Sequence, residues 1–280
     1  MRDYLELCKP RIAAMVAVTA AIAFILSGGR DLQRLYWTLL GTLLASSASG
    51  SLNQLIERRR DALMRRTRNR PLPAGRLQPW QALAFGIILA FVGISLLLWK
   101  VGPLPGFLAA GTIALYVLGY TPLKTLTPHS TWVGAAAGAS SPLIGWAAGQ
   151  GGLPTGAWVL FGIQFLWQIP HFLSLFWIHR EDYARAGFKV MPVVDPRGRL
   201  TAAQIALHSF TLVPASLMPS FCGMAGTHYG LGALALGSAF LGVGMRASWT
   251  LEAIDARRLF LASLAYLPIL FGMLLWGASL

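Results

Sequence analysis

Asn53, Glu57 and Asp61 recur at four-residue spacing where a long apolar segment gives way to charge. On a regular helix the three drift by about 80°, so they share one polar face of hard oxygen donors. Mg²⁺ takes such donors, typically using one or two carboxylates while bridging to substrate phosphates. Arg65, Arg66, Arg68 and Arg70 follow at once, with Pro71 and Pro73 stiffening the chain beyond them. Guanidinium forks bind phosphate oxygens bidentately. Together the two runs suit a metal-assisted clamp on the diphosphate of a membrane-dissolved substrate. The same spacing also permits pairs within one helix, such as Glu57 with Arg60 or Asp61 with Arg65, and the run is then charge that sets membrane topology.

A second constellation spans Trp167 to Gly187. Pro170 inside an apolar segment frees a backbone carbonyl and bends a helix, and polar groups beside such a bend tend to face a protein cavity. Gln168, His171 and Ser174 lie within two turns and either line a pocket or satisfy neighbouring helices. Glu181 and Asp182, where the apolar run ends, either hold a second metal ion or balance Arg180 and Arg185. Lys124 is the only Lys or Arg of its connection and reads as a phosphate contact or a topology anchor. His208 reads as a packing or hydrogen-bonding residue.

The elements that must position these groups are apolar helices. Of 280 residues, 55% are hydrophobic and 12% charged, about half the charge of an ordinary soluble domain. Apolar stretches at roughly 12–29, 34–53, 80–99, 104–119, 131–149, 154–178, 201–222, 229–247 and 260–278 predict an all-α polytopic membrane protein. Its nine transmembrane helices are expected to enclose a central intramembrane cavity within one domain over residues 1–280. The first stretch has no cleavage-type site and is read as a spanning helix.

With the N-terminus inside, twenty of the twenty-three Lys and Arg residues fall on the inner side, the others being Arg30, Arg34 and Lys100. This positive-inside bias puts the N-terminus and the polar loops in the cytoplasm and the C-terminus outside. Topology and anionic headgroups account for such a basic face, so no nucleic-acid partner is expected. Nine of the ten acids share that face although orientation does not demand it. Cys8 and Cys222 belong to opposite membrane faces, which excludes a disulfide between them.

The pieces together resemble the UbiA-type intramembrane prenyltransferase superfamily and, within it, the protohaem IX farnesyltransferase (haem O synthase) family. The matching runs are Tyr4-Leu5-x-Leu7-x-Lys9-Pro10-Arg11, Asn53-x3-Glu57-x3-Asp61 through Arg70-Pro71-Leu72, Tyr120-Thr-x-x-Lys124, and Gly138 to Trp146. Trp167-x-x-Pro170-His171-Phe172, Asp182-Tyr183-x-x-Ala186-Gly187 and Arg258-Leu-Phe260-x-x-Ser263-x-x-Tyr266 complete them. Departures fall in loop 124–130, at Leu173 and at Glu181, and bear on substrate contacts more than on reaction class.

The resemblance implies an Mg²⁺-dependent enzyme transferring a farnesyl group from farnesyl diphosphate to a vinyl group of haem B, giving haem O and diphosphate. It implies Asn53, Glu57, Asp61, Glu181 and Asp182 at the metal, with Asn53, Glu57, Asp61, Lys124 and Asp182 in catalysis. Arg66, Arg70 and Lys124 would hold diphosphate; Gln168, His171, Ser174 and Tyr183 would hold the acceptor. It further implies a bacterial or archaeal membrane, membrane lipids as surroundings, a place in haem supply to cytochrome oxidase, and product handover to a haem A synthase. A quinone-precursor or other aromatic acceptor, and a haem or lipid transporter, are the alternative readings.

Overall fold

The computed structural model describes residues 1–278, all of whose regular structure is helical. A short helix α1 (Arg2–Cys8) meets α2 (Pro10–Leu26) at a 46° bend. Lys9 occupies the break in the left-handed region, at φ 49° and ψ 59°, and Pro10 restarts the helix at a position where a missing N–H costs nothing. Next come α3 (Leu32–Asp61), α4 (Pro79–Val101), α5 (Pro103–Leu123), α6 (Ser130–Gly138), α7 (Ser140–Gln150) and α8 (Thr155–Ile178). The short α9 (Arg180–Arg185) and α10 (Met191–Val194) precede α11 (Arg199–Phe221), α12 (Thr227–Thr250) and α13 (Ala253–Ala278).

Among the described residues six helices, α4, α5, α8, α11, α12 and α13, are long and apolar enough to cross a membrane, or seven if the bent α1–α2 pair is one span. The expectation of nine such helices is therefore corrected. The 34–53 stretch is only part of α3, a 30-residue helix whose later turns carry serines, Asn53, Gln54 and a run of arginines. The 131–149 stretch is not one rod, because the chain breaks at Ala139 into helices of nine and eleven residues. At a rise of about 1.5 Å per residue, neither piece spans a bilayer alone. The all-α polytopic membrane architecture stands.

Two apolar clusters hold the bundle. One joins α7 and α8 to α11–α13 through Leu160, Ile163, Leu212, Leu259 and Phe271; the other joins α2–α5 and α7 through Phe24, Ala48, Leu97 and Ile144. Gly145 lets α7 press against the α2 backbone at Ala20, where any Cβ would collide. A smaller cluster does more for function. Met64, just past α3, packs with Phe176, Tyr183 and Phe188, clamping the loop after α3 onto the α8–α9 corner. Leu72 and Leu77 pack on Leu7, and Arg76 bonds Asp3 and Glu6, so the basic loop is also fastened to α1.

Candidate active site

Asn53, Glu57 and Asp61 lie on one uninterrupted helix and all are buried. Each meets a basic side chain from outside α3. Lys9 Nζ donates to Asn53 Oδ1 at 2.9 Å, Lys124 pairs with Glu57, and Arg70 Nη1 donates to Asp61 Oδ2 at 2.8 Å. The alternative helix-internal pairs do not form: Arg60 lies over the Phe188 ring and Arg65 lines a pocket at the mouth. Asn53 Nδ2 also donates to Thr121 Oγ1, whose hydroxyl donates to the Tyr116 carbonyl. Thr67 Oγ1 donates to the Asp61 carbonyl and closes the end of α3.

Burial alone would push the Lys124 ammonium toward neutrality. The Glu57 charge and hydrogen bond, with Tyr116 and Tyr183, outweigh that and hold its pKa above the ordinary lysine value. The ammonium also sits 4.7 Å from the Tyr120 ring centre and 5.2 Å from that of Phe188, aromatic faces that favour a cation. The Lys124 carbonyl accepts from Lys189 N at 2.7 Å, tying this connection to the α9–α10 region.

Glu181 and Asp182 are placed differently. Asp182 is buried and paired with Arg185 one turn along α9 at 3.1 Å, while Glu181 is exposed. Both line a mouth pocket of about 560 Å³ with Arg65, Arg66, His179 and Arg180. Arg66 Nη2 donates to Tyr183 Oη at 3.3 Å, so it reaches from the first segment to the second. His179 is held below the usual imidazole pKa by burial and then by Arg66, against the opposing pull of Asp182.

Behind the polar cluster lies an apolar cavity of about 390 Å³. Gln168 and His171 line it with Trp167, Phe172, Tyr116 and Met15. Gly138 makes room for Gln168, whose amide occupies the space a Cβ would need. Ser174 is not part of this wall: it is fully buried and its hydroxyl donates to the His171 carbonyl one turn back. Tyr183 lines neither the cavity nor the mouth pocket; it is buried and packed on Phe176 and Phe188.

Lys9 is the residue the sequence reading did not single out as functional. It lines the cavity and bonds Asn53. The available signal was its place immediately before a proline that opens an apolar helix. Thr121 and Ser263 were likewise legible only as members of motifs.

The donor set fits a hard cation. Asn53, Glu57 and Asp61 offer only oxygen ligands, and the surrounding basic groups show how strongly that face attracts positive charge. Among the described residues no three His, Cys, Asp or Glu side chains converge on one point. Mg²⁺ suits such an open arrangement, because phosphates and water complete its coordination.

A multi-pass helical membrane protein that sets a buried acid, amide and ammonium cluster against an apolar cavity is built for isoprenoid diphosphates. The chain belongs to the UbiA prenyltransferase family, whose profile matches residues 14–277. It is 44% identical to the protoheme IX farnesyltransferase of Solibacter usitatus over 98% of both chains. A solved digeranylgeranylglyceryl phosphate synthase shares the fold at TM-score 0.80 and 17% identity, covering 99% of this chain and 98% of that one. A UbiA homologue from Archaeoglobus fulgidus, bound to GPP and Mg²⁺, superposes at TM-score 0.70 and 17% identity over 99% and 100% of the two chains.

Proposed function

We propose that this prenyltransferase attaches a farnesyl group from farnesyl diphosphate to a vinyl carbon of haem B, with water completing the hydroxyethylfarnesyl substituent of haem O. The observation that carries the reading is Lys9, which bonds Asn53 in the polar cluster while lining the apolar cavity. Lys9 thus joins the cluster to the space for an isoprenoid and a flat acceptor. The likeness to the farnesyltransferase of Solibacter usitatus supports the choice of donor and acceptor.

Asn53, Glu57 and Asp61 would hold Mg²⁺, with Asp182 and Glu181 serving a second ion or its water. Bound there, Mg²⁺ supplies charge stabilisation to the diphosphate as the C–O bond breaks. Arg66, Arg70 and Lys124 neutralise the departing diphosphate, acting as fixed positive groups aimed at developing negative charge. The apolar wall holds the prenyl tail and keeps water from the allylic cation, with Phe172 and Tyr116 offering aromatic faces. Gln168 and His171 orient the acceptor from the cavity, Ser174 supports the His171 turn, and Tyr183 braces Arg66.

The chain acts as one transmembrane domain with its basic face toward the cytoplasm, and its product passes to a haem A synthase. Incubating purified protein with haem B, farnesyl diphosphate and Mg²⁺ should give a farnesylated haem by mass spectrometry. A prenylated quinone precursor formed in preference, in direct acceptor competition, would overturn the choice of acceptor.

A further inference from the structure

His171 is held in one tautomer by a residue on another helix. Its Nδ1 lies 2.8 Å from Ser263 Oγ, and that hydroxyl lies 2.6 Å from the Phe260 carbonyl oxygen one turn back in α13. A carbonyl cannot donate, so the single hydroxyl proton belongs to Phe260, and Ser263 Oγ accepts from His171 Nδ1–H. The alternative would leave hydroxyl and carbonyl lone pairs facing each other at that distance. The lone pair of the neutral ring is therefore on Nε2.

The surroundings restrain the ring as well. Trp167 and Phe260 stack near-parallel on the imidazole at 5.0 and 4.9 Å between centroids. Trp167 Nε1 donates to the Ser263 carbonyl at 2.8 Å, so stacking partner and hydrogen-bond partner are braced together. His171 lines the apolar cavity, and no protein group among the described residues hydrogen-bonds Nε2. A stacked, tautomer-fixed imidazole with an unshared lone pair at a cavity wall is what an iron porphyrin needs as an axial ligand.

We propose that Ser263 is a positioning residue that sets His171 as the Nδ1-protonated ligand, and that His171 Nε2 coordinates the iron of the tetrapyrrole acceptor. The proposal rests on the transferase reading above and specifies how the acceptor is held. One axial bond fixes the plane of the macrocycle and so the position of its vinyl groups. A hydroxyl acceptor polarises the ring less than a carboxylate would, which suits a ligand that must release its product.

The test uses the full chain in detergent with ferric protoporphyrin IX and no prenyl donor. Electron paramagnetic resonance and resonance Raman spectra should show an iron–imidazole bond that His171→Ala abolishes and added imidazole restores. Ser263→Ala should keep the bond but bind the ferric porphyrin about 10- to 100-fold more weakly, with a shifted iron–nitrogen frequency. Unchanged spectra in a folded His171→Ala protein, or equal affinity of the wild type for metal-free protoporphyrin, would overturn the proposal. Product assays on the same preparations separate the two claims. Farnesylated haem formed without a His171-dependent iron signal defeats only the ligand assignment, whereas the signal without product in the wild type defeats the transferase reading.

Discussion

Glu57 meets its cation across the fold and Asp61 meets Arg70 from the loop beyond its helix, whereas Asp182 meets Arg185 within a single helical turn. Lys124 stands more than sixty residues beyond Glu57 in the chain, and both partners are sealed from solvent; in the Asp182 pair, Arg185 is 42% exposed. A buried ion pair binds its partners' positions strongly, because either charge left alone in low dielectric is costly. A local pair with one exposed partner is partly screened and contributes less. The first segment is thus a preset charge array whose geometry the whole bundle enforces, and the second is an adjustable acidic lip at the mouth.

The sharpest way to break this contrast is Asp61→Asn. Turnover should fall by about 10³-fold or more while the protein stays folded, because a fixed electrostatic group is lost at the leaving-group end. Product mass spectrometry with detergent gel filtration reads both quantities, and near-normal turnover would remove Asp61 from the chemistry. Lys124→Met should next destabilise the protein by about 3–5 kcal/mol by stranding Glu57. Adding Glu57→Gln should restore most of the melting temperature but not activity. A single variant as stable as wild type would mean that the pair is not a buried constraint.

The same pair gives a pH signature. The folded pKa of Lys124 is raised above 10.5, so its contribution to stability is whole below pH 10.5 and is lost as pH rises through the higher folded value. The Lys124-dependent difference in melting temperature should therefore stay flat from neutrality to about pH 10.

At the lip, Asp182→Asn, at a buried carboxylate, should lower kcat/KM by about 10- to 100-fold, and Glu181→Gln by less than about 3-fold, in keeping with an exposed, screened charge. A Glu181→Gln loss equal to that of Asp61→Asn would erase the distinction. The smallest effect belongs to His179, whose pKa is lowered. Its neutral form is favoured in the folded protein, so its share of stability is lost as pH falls below 6.5. His179→Gln should flatten the acid limb of a melting-temperature profile slightly.

Much of the site was legible because it is written locally. The four-residue spacing of Asn53, Glu57 and Asp61 needs only helical periodicity, and α3 runs unbroken through all three. Pro170 likewise announced a wall for Gln168 and His171. Ser174, on the same face by spacing, instead satisfies its own helix, since a buried hydroxyl takes the nearest carbonyl. The count of spanning helices failed for a related reason. A hydropathy window averages over α3 and over the break at Ala139, whereas protein packing, not lipid, shelters those polar and broken stretches.

The sequence by itself determined the membrane class, the charge bias, the acidic spacing and the family signatures, all of which depend on residue type and near neighbours. Tertiary structure alone decided which cation serves which carboxylate, that Lys9 turns into the cavity at a left-handed break, and that Ser263 sets the His171 tautomer. Asp61 and Arg70 lie nine positions apart, but the Lys9–Asn53, Glu57–Lys124 and His171–Ser263 choices join residues 44 to 92 positions apart. Pairings at such distances are selected by the burial and packing of the whole bundle, which no local pattern encodes.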